Sequence, residues 1–178
     1  MASYREIVTK AVIGKAKKTS SNNFTLTPEE LPNTILGCWV INHAFNGVKN
    51  GGSTVDVNGS FDVNVWYSYD KDKKTAVSTK RFNYSDQLNV PIRGGESSKD
   101  ISEVIVRCLK QPTVSNVKIE NDNVLLDIEK EMGVEIVGDT KVKISVEEDD
   151  DDYDEIIDEE NLDSAVDNLD DNYLSEEN

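Results

Sequence analysis

The sequence predicts an all-β chain: one antiparallel sandwich or barrel-like domain over residues 1–146, followed by a disordered acidic tail over residues 147–178. Three observations predict it. Between Ser53 and Tyr69 the apolar residues Val55, Val57, Phe61, Val63, Val65, Tyr67 and Tyr69 alternate with Asp56, Asn58, Ser60, Asp62, Asn64 and Ser68, the period of a strand that buries one face. Turn residues interrupt the chain at short intervals, at Asn46-Gly47, Asn50-Gly51-Gly52, Asp70-Lys71-Asp72-Lys73, Gly94-Gly95, Asn121-Asp122-Asn123 and Gly138-Asp139, the punctuation of a sandwich or barrel. All 19 Lys and Arg precede residue 147, where 18 Asp and Glu balance them to +1; the total of −16 leaves −17 for residues 147–178.

Each element follows from local chemistry. Thr34 to Phe45 contains the dense run Ile35-Leu36-Gly37-Cys38-Trp39-Val40-Ile41, expected of a strand covered on both faces at the centre of the core. Asn58-Gly59 resembles a two-residue hairpin turn. Pairing across it would set Val57 against Ser60 and Val55 against Asp62, mixing polar and apolar residues on one face. One long strand, bent or bulged at Gly59, keeps the face apolar and is expected instead. The alternation returns in Val117 and Ile119, in Val124, Leu126 and Ile128, in Val134 and Ile136, and in Val142, Ile144 and Val146. Gly94-Gly95 with Glu96-Ser97-Ser98 reads as a mobile loop, and Ser98 to Lys110 as a short helix or, from Val104, Val106 and Cys108, as a further strand.

The tail is built differently. Its acidic run repels itself and stays solvated, yet Ile156, Ile157, Leu162, Val166, Leu169, Tyr173 and Leu174 recur within it, several at helical spacing. A helix this short and this charged is marginal alone in water. These seven residues are candidates for partner recruitment, ordering on what they bind; the plainer alternative is a solvating bristle. The near-neutral body can associate with copies of itself at little electrostatic cost.

Enzyme chemistry finds little support. The single histidine, His43, leaves few nucleophile or general-base arrangements, and it reads as a strand-end residue near a turn. Residues five apart on a strand point to opposite faces, so Cys38 and His43 do not make a metal pair. Cys38 and Cys108 are too few for a disulfide framework and read as buried free thiols, with a crosslink formed after assembly as the sharper alternative. The glycine pairs fall in loops between strands, which excludes a phosphate cradle. Glu29 and Glu30 lie among prolines in a surface turn. The acidic run lacks calcium-loop spacing and its glycine. No catalytic residue, metal or cofactor is expected. Lys15-Ala16-Lys17-Lys18 and Lys71-Asp72-Lys73-Lys74 are short and poor in stacking aromatics, so nucleic acid is not an expected partner; they suit the acidic tail of another molecule. The N-terminus has no basic start before an apolar run, and no window approaches the length of a membrane span, so cytosolic synthesis without membrane insertion is expected.

Particular segments carry a resemblance: Ser3-Tyr4-Arg5-Glu6-Ile7 with Lys10-Ala11-Val12, Ile35-Leu36-Gly37-Cys38-Trp39-Val40-Ile41-Asn42-His43, Val63-Asn64-Val65-Trp66-Tyr67-Ser68-Tyr69, Gln111-Pro112 and Val137-Gly138-Asp139-Thr140-Lys141. Together, and with the acidic tail after them, these segments resemble the spore outer-coat morphogenetic protein E family of endospore-forming bacteria. The resemblance implies a protein made in the mother-cell cytoplasm that self-associates around the forespore, docks on inner-coat or basement-layer proteins, recruits outer-coat proteins and ends in the spore coat. It brings no catalytic residues.

Trp66 lies on the otherwise polar, even-numbered face of the long strand. A tryptophan exposed there marks an interface, unless a second layer covers both faces. Trp66, Tyr67 and Tyr69 are therefore the candidate self-association residues, together with free strand edges. Two readings of other classes stand beside the scaffold: a carbohydrate-binding sandwich whose surface aromatics stack on sugars, and an acidic-tailed chaperone for basic proteins.

Overall fold

The computed structural model describes residues 3–93 and 101–146. The chain divides into two units, Glu6–Val142 and a second that joins Met1–Arg5 to Lys143–Asn178. The packing below is that of the first.

Six strands follow one another: β1 Ser3–Leu26, β2 Thr34–Lys49, β3 Thr54–Tyr69, β4 Lys74–Asn89, β5 Ile101–Glu120 and β6 Asn123–Val146. They form two three-stranded antiparallel sheets, ordered β1-β6-β5 and β2-β3-β4. The fold class is all-β, two sheets without barrel closure.

β3 is the middle strand of its sheet and runs unbroken. Its pairing with β4 passes without a register shift from Thr54 opposite Asn89 to Tyr69 opposite Lys74. Val55, Val57, Phe61, Val63, Val65 and Tyr67 are buried, all on the odd-numbered face of one continuous strand. Gly59 stands on the same inward face, opposite Tyr84. A Cβ there would lie 2.4 Å from the Tyr84 ring, so the glycine makes room for the aromatic without ending the strand. β6 answers from the middle of the other sheet, where Val124, Leu126, Ile128, Met132, Val134 and Ile136 are buried against the same cluster. Each such side chain stabilises the fold by roughly 1.5–3 kcal/mol.

Several expectations are corrected. Thr34–Phe45 is not the centre of the core: β2 pairs only with β3 within its sheet, and Leu36, Trp39, Ile41 and Phe45 are exposed. The outer half of that run's apolar content lies on a solvent face, which a continuous apolar run cannot distinguish from burial on both sides. The irregularity expected at Gly59 sits instead in β2, whose register shifts between Ile35 and Gly37 and between Ile41 and Ala44. The stretch weighed as helix up to Lys110 is strand from Ile101; residues 94–100, with the Gly94-Gly95 loop, lie outside the described residues. Asn46-Gly47 and Gly138-Asp139 are not turns but lie inside β2 and β6. Gly47 is a close approach, since a Cβ there would meet Val106 of β5 at 2.4 Å. The other turns occur as read, with left-handed backbone at Gly51, Gly52, Asp70, Lys71, Asp72, Asn121 and Asp122.

After β4 the chain crosses to the second sheet. Ile92 bridges Gly14, and the Arg93 amide donates to the Ile13 carbonyl at 2.9 Å. A Cβ on Gly14 would stand 2.8 Å from the Pro91 oxygen, so residue 14 admits this crossing only as glycine.

Candidate functional site

The outward face of β2-β3-β4 is formed by one rung after another of the ladder. Gly37, Trp66 and Val77 make one rung; Trp39, Asn64 and Thr79 the next; Ile41, Asp62 and Arg81 the third. Trp39 and Trp66 are each 43% exposed, Ile41 42% and Val77 54%. A Cβ on Gly37 would lie 3.8 Å from the Trp66 ring and 3.9 Å from the Trp39 ring. The two indoles therefore flank a bare glycine, a flat apolar platform open to solvent.

Polar contacts hold this face in shape. Arg81 donates to Asp62 at 2.8 and 3.2 Å, and Asn42 donates to it at 2.9 Å. Hydrogen bonding to Arg81, then to Asn42, lowers the Asp62 pKa. Asn42 itself is left-handed, with φ 55°, a conformation that asparagine tolerates better than most residues. Thr79 donates to Asn64, which is buried beside the indoles.

The candidate self-association residues separate. Trp66 is on the platform. Tyr67, one position on, is 1% exposed and belongs to the core, its hydroxyl accepting from the Glu30 amide at 3.4 Å. Tyr69 shares that inward parity, its ring 6.3 Å from that of Tyr67, and packs against the core. Adjacent residues of a strand point to opposite faces, so Trp66 and Tyr67 could not both be surface anchors. Sequence alone does not single out Trp39, Ile41 and Val77: the first two stand in a continuous apolar run expected in the core, and Val77 lies on a strand with few apolar residues. Ile156, Ile157, Leu162, Val166, Leu169, Tyr173 and Leu174 lie outside the described residues.

Inside the sandwich, His43 is not a strand-end residue. It sits at the β2 bulge and turns inward, its ring 5.8 Å from Tyr84 and 6.4 Å from Phe61. The bulge adds a residue and reverses parity, so His43 comes to the inward face that Cys38 occupies opposite Val65. The Tyr84 hydroxyl donates to Nε2 at 2.7 Å, and Nδ1 donates to Gln111 Oε1 at 3.2 Å. Burial, opposed by the Gln111 bond and assisted by the charge of Lys130, lowers the His43 pKa. Cys38 and Cys108 are free and half-buried, and burial raises both thiol pKa values. Among the described residues no three His, Cys, Asp or Glu side chains converge as a metal site. No helix among them is long and apolar enough to cross a membrane.

Comparison with known families finds a match over residues 3–176, to the model of outer spore coat protein E (CotE). The chain belongs to that family. The match runs from the first strand to residue 176, and membership makes the chain a spore outer-coat protein. No curated protein and no solved structure matches this coat protein.

Proposed function

We propose that this coat protein is a scaffold: its strand body self-associates into a shell around the forespore, docks on inner-coat or basement-layer proteins, and its tail recruits outer-coat proteins. It would be made in the mother-cell cytoplasm before it reaches the coat. The observation that carries the reading is the Trp39–Trp66 platform on a body whose charge is near zero. Contiguous exposed apolar surface of this kind marks interaction sites, and tryptophan leads the residues that anchor them. The −17 of the tail makes it ill suited to packing in the same lattice, which leaves it available to clients. A second reading draws on the same platform, because paired indoles on a sheet face can also stack on sugar rings.

The double variant Trp39→Ser, Trp66→Ser tests both. The parent chain is expected to form large assemblies in negative-stain microscopy, and the variant to stay small while keeping its β circular dichroism. A variant that assembles like the parent removes this face from the lattice. Retention of the parent, but not the variant, on immobilised glycans would favour the sugar-binding reading.

A further inference from the structure

Among the described residues Lys130 is the one buried Lys or Arg. It lies on β6 among the inward-facing residues and is 1% exposed. Three oxygens surround its Nζ: Asp86 Oδ2 at 2.9 Å, Ser20 Oγ at 2.8 Å and Asn22 Oδ1 at 3.2 Å. The Tyr84 ring covers it, with its centroid 4.0 Å away. Ser20 also donates to Asp86 Oδ2 at 3.4 Å. The participants come from both sheets, Ser20 and Asn22 from β1 beside β6, and Asp86 and Tyr84 from β4 opposite.

An ion pair is a costly way to hold two sheets together, because desolvation of both charges offsets most of their attraction, and apolar residues of the same size often do as well. The composition of this cluster suggests chemistry. A primary amine, a carboxamide and a carboxyl group are what an amide exchange between side chains requires: nucleophile, electrophile and proton carrier. All three meet around one nitrogen at hydrogen-bonding distance, with Lys130 and Asp86 buried and Asn22 half-buried at the edge, and such fixed proximity replaces the high concentration that the reaction would need in solution.

The geometry points to a covalent amide between Lys130 Nζ and Asn22 Cγ, formed by the chain itself with Asp86 carrying the proton. Asp86 takes a proton from the Lys130 ammonium. The freed lone pair attacks Asn22 Cγ, giving a tetrahedral centre. Asp86 returns the proton to the departing nitrogen, the Cγ–Nδ2 bond breaks, and the Nζ–Cγ bond remains. One ammonia leaves, taking up the second proton of the attacking nitrogen to become ammonium, so that the positive charge of Lys130 departs with it. Nothing is oxidised or reduced. Asp86 is the carrier and not the electrophile because its own condensation with Lys130 would need another acid. The neighbouring Glu131 and Glu135 pair instead with Lys17 and Lys15. The product ties the first strand to the last through neutral atoms. It also closes a long loop in the unfolded chain, the constraint by which crosslinks stabilise folds.

Intact mass spectrometry of the full-length chain, denatured and with Asn22, Asp86 and Lys130 unaltered, tests the proposal. The expected mass is that of the sequence less one ammonia, and proteolysis is expected to yield a branched peptide joining the Asn22 segment to the Lys130 segment. Asn22→Ala keeps the Asp86 and Ser20 bonds to the ammonium and is expected to restore the full mass. Lys130→Arg is expected to restore it too. Asn22→Asp is expected to close with loss of water, reaching the same final mass as the closed parent. Three results would overturn the assignment. One is a parent of full sequence mass. Another is an ammonia loss that persists in Lys130→Arg, the mark of a succinimide at Asn22-Asn23. The third is a branched peptide joining Lys130 to Asp86.

Discussion

His43 shows how one residue acquires a property that its neighbours in sequence do not announce. Its ring accepts from Tyr84 and donates to Gln111, and burial leads the causes that hold its pKa below the ordinary 6.5. The folded chain thus resists a proton that the unfolded chain accepts. The sign follows from linkage: stability rises with pH wherever the unfolded state binds more protons. The His43 contribution is intact above 6.5 and is lost as pH falls from there towards the lower folded value. In urea unfolding, lowering the pH from about 7 to about 5 should cost the parent more than it costs His43→Asn, which has no proton to gain. Equal losses would mean that the ring titrates alike in both states. Asn42, next to it, was also opaque in the sequence, since only the bulge makes its left-handed backbone and its bond to Asp62 necessary.

Strands are where periodicity speaks most clearly. The face of β3 was legible residue by residue, because side chains that alternate across a backbone need no partner to define their parity. Gly59 was legible as an interruption but not as the seat beneath Tyr84. Substitution tests that role: Gly59→Ala places a methyl 2.4 Å from a ring that His43 and Lys130 hold on its other sides. Tyr84 cannot swing away without giving up both contacts. A loss of about 1–3 kcal/mol in urea unfolding is expected; no loss would show that the ring yields freely. β2 illustrates the opposite case. Its apolar run carries two faces of different fate, Val40 opposite Val63 within and Trp39 opposite Asn64 without. No local pattern separates these when both faces are apolar.

At the scale of the whole molecule, the sharpest division in the chain is that of charge between residues 1–146 and residues 147–178. A chain ending at Val146 should fold and self-associate as well as the parent or better, most visibly at low ionic strength, where screening is weakest. It should also lose its hold on outer-coat proteins in pulldown. Replacing Leu162, Val166 and Leu169 together by serine leaves net charge unchanged and should weaken the same capture, because charge alone selects partners poorly. A truncated body that stays dispersed, or a triple variant that captures clients as well as the parent, would refute the division of labour.

The strand class, the inward face of β3, most turns, the absence of a hairpin at Gly59 and the placing of charge, near zero up to residue 146 and −17 after it, were all legible in the sequence. These are short-range properties, set by backbone alternation, turn chemistry and charge counted along the chain. Which strands are central, that β2 presents Trp39 to solvent beside Trp66, that Tyr67 is core, and that Lys130, Asp86 and Asn22 meet all follow from how the strands pack. The reason is physical: sheet order and the facing of two sheets join residues from separate strands, and alternation within one strand carries no information about what will lie across from it.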